Sequence, residues 1–174
     1  MKTITRTNLY LPMAAIILTA ALAVPAAAKN QVPFKGALQG NDIDSPGPSP
    51  TTIVVTTTGT GIGTHVGEFS STGASSGATG SAQWIAANGD SINTTYVGSA
   101  QHVDIAPCQV AGAQPEDSYA KITQVHIITG GTGRFAGAQG SFTLTKYHDV
   151  VLRNGTFGTC GSFSGTMTPP GAAH

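Results

Sequence analysis

Short β-prone segments, separated at close intervals by glycine, proline, asparagine and aspartate, run through this chain from about residue 30 onward. No window of about eleven residues shows the apolar period of 3.6 that an amphipathic helix requires. With 23 glycines and only 9% charged residues in 174, a helical bundle is disfavoured and an all-β protein is expected. The pattern predicts strands over Val32–Gly40, Thr51–Gly59, Gly63–Ser70, Ala78–Ala87, Ser91–Ser99, Tyr119–Thr129, Gly140–Val151 and Thr156–Thr168.

Turn residues mark the connections between these segments. Asn88–Asp90, with the sequence Asn-Gly-Asp, is a strong hairpin signal because Asn and Gly tolerate the positive φ of a tight turn. It predicts that Trp84 and Tyr96 lie on neighbouring antiparallel strands. Alternate prolines make Asp42–Pro50 an expected extended loop, since proline lacks the backbone donor of a paired strand, and Gln101–Ser118 is a second irregular stretch.

Eight consecutive short strands with hairpin spacing fit either an up-and-down barrel or a sandwich. Closure removes exposed strand edges, and a chain with 9% charged residues has few charges to protect such edges. Small and large residues alternate over 155–165, as they often do inside small barrels. We therefore predict an all-β fold, an eight-stranded antiparallel up-and-down β-barrel.

The first 28 residues indicate export. Lys2 and Arg6 precede an apolar stretch, Leu9–Val24, and Ala26–Ala28 supplies small residues before a cleavage point. The pattern predicts a signal peptide over residues 1–28 and a single barrel domain over 29–174, secreted or periplasmic and free of the membrane after cleavage. An uncleaved anchor is the alternative, although its apolar stretch is shorter than the roughly 20 residues that a spanning helix needs.

Both cysteines, Cys108 and Cys160, lie in the part predicted to be exported. Oxidising conditions outside the cytoplasm favour pairing, and two cysteines allow a single connectivity. We predict a disulfide between them, with two separate buried thiols as the alternative.

Charge and motifs exclude several functions. Residues 29–174 carry six Lys and Arg against eight Asp and Glu, so there is no basic patch that would indicate nucleic acid as a partner. Gly131–Ala136 matches a dinucleotide fingerprint formally, but the glycines after it argue against the helix that such a site requires. No cofactor is predicted. No metal is predicted either, because no two histidines are separated by the short spacing typical of metal ligands. Apart from the terminal His174, the histidines are His65, His102, His126 and His148.

Three segments resemble a known family. Ile127–Phe142, with the sequence IITGGTGRFAGAQGSF, resembles the strand-turn-strand signature of the allene oxide cyclase and dirigent barrels, and Trp84–Asp90 and Phe34–Gly40 are similar to its exported bacterial relatives. The resemblance implies an allene oxide cyclase-like barrel with an apolar cavity. It also implies homo-oligomers, since the plant members are often trimeric. It implies no particular reaction, because the matching residues form a turn.

Four residues are candidate ligand contacts in the lumen. Trp84 and Tyr96 are expected near the cavity, and Glu68 or His126 is expected as its polar contact. Glu68 shares a strand face with Val66 and Ser70, so it lies either on the solvated outer face or in the cavity, where burial raises a carboxyl pKa. Asp104 and Asp149 are further carboxylates available for acid-base chemistry.

Three functions follow from a barrel of this kind. The first is binding of a small, mostly apolar organic molecule in the lumen. The second is a cofactor-independent cyclase or isomerase, which accelerates a reaction by confining one conformer. The third is a structural or surface barrel whose own side chains fill the lumen. A cavity above roughly 300 Å³ favours the first two, and a buried ionisable residue beside it favours the enzyme.

Overall fold

The computed structural model of the protein describes residues 30–49, 52–153 and 155–171, and these form a closed antiparallel barrel of eight strands in chain order. The predicted barrel is therefore confirmed, with β1 pairing with both β2 and β8. The predicted signal peptide lies outside the described residues, and the domain boundary at residue 29 stays a prediction. The strands are β1 (Val32–Pro46), β2 (Ile53–Gly63), β3 (Gly67–Ser76), β4 (Thr79–Ala86), β5 (Ser91–Val103), β6 (Tyr119–Gly131), β7 (Gly140–Asp149) and β8 (Phe157–Met167).

The bounds of the first strands differ from the prediction. β1 continues through Asp42, because its residues up to Pro46 pair with the start of β2; the predicted loop from Asp42 is wrong up to that point. Pro46 is tolerated because it is the last residue of the strand. β2 continues to Gly63, four residues beyond the predicted end, because the glycines that were taken as breaks lie on its inner face.

Inward-facing glycines make room for aromatic rings. An added Cβ at Gly61 would lie 2.6 Å from Cζ of Phe69, and one at Gly63 would lie 2.7 Å from Cζ of Phe163. Glycine positions on one strand thus leave interior volume that large aromatic side chains from other strands fill. This exchange of glycine for ring volume explains why a glycine-rich chain has a well-filled core.

The turns 64–66 and 87–90 and the connection 132–139 lie at one end of the barrel, which we call the apolar end. Phe135, in the short 3₁₀ turn Gly133–Phe135, is 1% exposed and belongs to the core there. Arg134 donates from Nη2 to the carbonyl of Val66 at 3.3 Å. The predicted hairpin turn is present, with Gly89 at a φ of 89°. Phe135 and Arg134 together close this end.

The opposite end, which we call the polar end, carries the loop 104–118. Cys108 and Cys160 are disulfide-bonded, as predicted, and join this loop to the outer face of β8. Arg153 holds the same loop by an ion pair with Asp117 at 2.6 Å and also pairs with Asp149. Within the described residues, no helix has the length and hydropathy needed to cross a bilayer.

Candidate functional site

The middle of the lumen is filled by aromatic side chains. Trp84 is 2% exposed, and its ring centroid lies 4.8 Å from that of Phe69, 5.0 Å from that of Phe163 and 5.3 Å from that of Phe142. Trp84 is therefore packed among these three rings at the centre of the core. The expectation that Trp84 contacts a lumen ligand is thereby corrected, because inward-facing rings occupy the volume that a ligand would need.

A cavity of 340 Å³ opens inside the barrel at the polar end; we call it the lumen cavity. It lies where β2, β3, β5, β6 and β7 approach the mouth, and its volume falls within the range of small-molecule sites. Most of its wall is apolar or carries neutral polar groups, and Lys146 is the charged residue in it. The lining residues are Val55, Ser75, Gly77, Ala78, Tyr96, Gly98, Ser99, Ala100, Ile122, Gln124 and Lys146.

Lys146 is held by a network of buried polar groups. Its Nζ donates to both carboxylate oxygens of Asp42, at 3.0 and 2.8 Å, and to the hydroxyl of Thr57 at 3.1 Å. Asp42 accepts in addition from Thr57 at 2.7 Å and from Nδ1 of His148 at 2.7 Å. Asp42 is 0% exposed and Lys146 is 3% exposed. A buried charged pair therefore lies at the wall of the lumen cavity, with Lys146 in the lining and Asp42 behind it.

The surroundings of Asp42 keep it ionised. Burial by itself raises the pKa of this carboxyl, but the His148 hydrogen bond, the Lys146 charge and the Thr57 hydroxyl outweigh it and hold the pKa below its usual value. Asp42 therefore remains a carboxylate, and Lys146 has a permanent counter-ion.

Tyr96 does line the lumen cavity, where the sequence places it. Its ring lies over Gly80, where an added Cβ would be 2.4 Å from the ring atom Cζ. Burial raises the pKa of the phenol, although hydrogen bonds with Ser75 and Gln124 oppose the rise. The Tyr96 hydroxyl therefore keeps its proton and offers a neutral hydrogen-bonding group.

His126 lies one side chain away from the cavity, between Tyr96 and Phe142. Its ring centroid is 4.6 Å from each of theirs, and it is stacked on Phe142 at an interplanar angle of 12°. Burial, aided by the Lys146 charge, lowers the pKa of His126 from 6.5 to about 3. Its nitrogens are satisfied by Thr94 at 3.0 Å and Gln124 at 3.3 Å. His126 is thus a neutral core residue that positions Tyr96 and Gln124.

Glu68 lies outside the barrel. Its neighbour Phe69 points into the core, so Glu68 faces the outer wall, where it is exposed. There it lines an open groove of 850 Å³ with Ala37, Ile62, Ile85 and the disulfide; we call this the outer groove. The expectation of Glu68 as a lumen contact is corrected, because alternation along β3 gives the inner face to Phe69.

The remaining acidic and histidine candidates are dispersed. Asp149 is buried, but it pairs with Arg153 and accepts from the backbone of Val151, which is a structural role. His65 and Asp104 are exposed. The described residues contain no group of three or more His, Cys, Asp or Glu side chains arranged to hold a metal ion.

Asp42 and Lys146 were absent from the sequence-based candidates, although a signal for both is present. Lys146 and His148 are in phase with Phe142 and Leu144, and a lysine in the register of core residues indicates an inward position. Asp42 is likewise in phase with Phe34 and Leu38. It was overlooked because the nearby prolines placed it in a loop.

Comparison with known proteins gives no match at any level. No protein-family model matches the chain, and neither a curated protein nor a solved structure does so. The function is therefore inferred from the cavity, the charges and the hydrogen bonds of the barrel itself.

Proposed function

We propose that this chain is an exported small β-barrel protein that binds a small, mostly apolar organic molecule in its lumen. The observation that carries the proposal is the 340 Å³ lumen cavity, an apolar recess with a few convergent polar groups. The solid middle of the barrel gives the cavity a floor, so a ligand would enter from the polar end. Tyr96 is the aromatic wall, and Ser75 and Gln124 supply polar contacts.

Export is supported by the paired cysteines. A disulfide persists in oxidising surroundings outside the cytoplasm, and the pattern of residues 1–28 is that of a signal peptide. The proposed location is therefore secreted or periplasmic.

The closed eight-stranded barrel agrees with what the resemblance to allene oxide cyclase and dirigent barrels implies. Homo-oligomers, trimers above all, remain part of the proposal on the same ground. The outer wall is compatible with association, since Val97, Val125 and Ile127 are each at least half exposed on neighbouring strands.

Binding can be tested with N-phenyl-1-naphthylamine, an uncharged dye that fluoresces in apolar surroundings. We expect the wild type to bind one dye molecule per chain. The variant Ala100→Trp should lose this binding, and the variant Ala37→Trp should keep it. Ala100 lines the lumen cavity, so the indole fills it, whereas Ala37 lines the outer groove and serves as the matched control. Loss of binding in Ala37→Trp alone would move the site to the outer groove, and an absence of binding to the wild type would leave a structural barrel.

A second candidate, a cofactor-independent cyclase or isomerase, is favoured by the ion pair of Asp42 and Lys146 beside the cavity. A buried ion pair contributes little to stability, so a role in function would explain why this protein has one beside the cavity. For catalysis the Lys146 ammonium group would have to exchange one of its hydrogen bonds to Asp42 or Thr57 for a bond to the oxygen on which negative charge develops in a confined carbonyl compound.

Isomerase chemistry can be tested by exchange of the α-hydrogens of 2-decalone in heavy water, since enolisation breaks a C–H bond and re-forms it with deuterium. With buffer or water taking the α-hydrogen and Lys146 stabilising the enolate oxygen, the exchange rate should rise about 100-fold over that in buffer alone. The double variant Asp42→Leu/Lys146→Met removes both charges, so that neither is left buried without its partner, and it should abolish the increase in exchange rate. Exchange at the buffer rate with wild-type protein would dismiss the isomerase.

A further inference from the structure

We infer that the lumen cavity selects an uncharged ligand that carries a hydroxyl or ketone oxygen, and that it rejects both carboxylates and amines of the same shape. This inference rests on the proposed function, because it names the chemical class of the molecule bound in the same cavity. It follows from the charge and the hydrogen-bond partners of each polar group in the cavity wall and directly behind it.

Lys146 has no donor to offer an anion. An ammonium group has three protons, and here they go to the two oxygens of Asp42 and to Thr57, at 3.0, 2.8 and 3.1 Å. A ligand carboxylate would have to displace one of these bonds while losing its own hydration. The cation seen from the cavity is therefore already neutralised.

Asp42 is equally unavailable to a cation. Besides the two bonds from Lys146, its oxygens accept from Thr57 and from His148, each at 2.7 Å. It is 0% exposed and is absent from the cavity lining. An ammonium group on a ligand would lose its hydration in a recess whose lining offers it no carboxylate, because the nearest one, Asp42, is covered.

The polar groups that remain are neutral. The hydroxyls of Tyr96 and Ser75 line the cavity beside the Gln124 amide, and Tyr96 hydrogen-bonds with both neighbours; because a hydroxyl has one donor and two lone pairs and can rotate, these groups can also bond a neutral ligand oxygen. An alcohol or ketone oxygen satisfies such groups without burying a net charge. Val55 and Ile122 then contact the hydrocarbon part of the ligand.

Three cage compounds of the same shape test the inference, namely 1-adamantanol, 1-adamantanecarboxylate and 1-adamantanamine. Binding is followed at pH 7 by the NMR shifts of the Val55 and Ile122 methyl groups, with Ile62 and Ile85 reporting on the outer groove. We expect the alcohol to shift the cavity methyls and to bind at least about tenfold more tightly than either ion.

Two variants separate the causes. Asp42→Asn leaves the Lys146 charge without its counter-ion, so carboxylate affinity should rise about tenfold or more. Tyr96→Phe removes one hydroxyl at constant ring volume and should weaken alcohol binding about fivefold. The methyl spectrum of each free variant shows whether the barrel is folded, and Tyr96→Phe provides the test if Asp42→Asn is not.

The outcomes distinguish this inference from the proposed function. If the carboxylate or the amine shifts the cavity methyls as readily as the alcohol does, the charge selectivity is wrong and lumen binding stands. If none of the three compounds shifts them, or if only Ile62 and Ile85 respond, both the selectivity and the lumen site are wrong.

Discussion

The two ends of the barrel are built from the same eight strands, yet they place different side chains inward. At the apolar end, Ile92 and Met167 are 0% exposed and Phe135 covers the opening. At the polar end, Asp42 and Lys146 are buried beside a 340 Å³ cavity. Closure of the backbone alone therefore does not fill a lumen; the side-chain volume that each strand brings to a given layer decides where space remains.

The ends also differ in how they support the fold. Burial of large apolar side chains contributes stability in proportion to the area removed from water. The attraction between two buried charges is largely offset by the loss of their hydration. We therefore expect the apolar end to hold the barrel together and the polar end to be organised for binding.

The largest expected contrast is between two isoleucines on neighbouring strands. Ile92→Ala at the apolar end should lower the free energy of unfolding by about 4 kcal/mol, because it leaves a closed cavity in the core. Ile122→Ala, where the side chain is half-buried against the lumen cavity, should lower it by only about 1 kcal/mol. Urea unfolding measures both, and equal losses would remove the distinction between the ends.

The next largest effect is expected when a buried charge at the polar end loses its ionic partner. Lys146→Met should destabilise the protein by about 3 kcal/mol, because Asp42 loses its ionic partner while it stays buried. The double variant Asp42→Leu/Lys146→Met removes both charges but also the acceptor of His148 and Thr57, so it should recover only part of this loss. A double variant as unstable as the single one would show that the pair is needed for folding.

A smaller effect is expected from pH through His126, between the two ends. Its pKa is about 3 in the folded protein against 6.5 unfolded, so the unfolded chain binds the proton more readily. Stability is complete above pH 6.5 and falls as the pH drops toward 3, with a loss of about 2 kcal/mol at pH 5. His126→Gln should flatten the unfolding free energy over this window; an unchanged slope would assign the pH dependence to other groups.

The smallest expected effect comes from adding volume at the polar end. Ala100→Leu extends into the open lumen cavity and should change the unfolding free energy by less than about 0.5 kcal/mol. Gly63→Ala, the comparison at the apolar end, places a Cβ 2.7 Å from Cζ of Phe163 and should be clearly destabilising. Thermal unfolding of both variants would show whether free space is confined to the polar end.

Much of the fold was predictable from local patterns. All eight strands overlap their predicted positions, and the Asn88–Asp90 turn and the cysteine pair were both found. The ends of β1 and β2 were missed because proline and glycine were taken as breaks. The predicted β3 was misplaced, since this strand spans Gly67–Ser76, and β5 continues to Val103, into the stretch predicted to be irregular from Gln101. In the barrel, Pro46 ends its strand, and Gly61 faces a ring that supplies the missing volume.

The candidate site was predictable only in part. Tyr96 lines the lumen cavity, as the sequence predicted, and its contact with a ligand stays a prediction. Trp84 was placed correctly inside the barrel but wrongly beside a cavity, and Glu68 belongs to the outer wall. Strand parity assigns two faces but does not by itself say which face is the inner one.

The sequence by itself determined the strands, the turns between them and the alternation that divides each strand into two faces, because these depend on residues a few positions apart. Only the tertiary structure decided that Asp42 meets Lys146 and His148, which are 104 and 106 residues away. It also decided that free volume lies at the polar end. Both depend on how β1 pairs with β8 when the barrel closes and on the sum of inward volumes over eight strands, which no local segment contains.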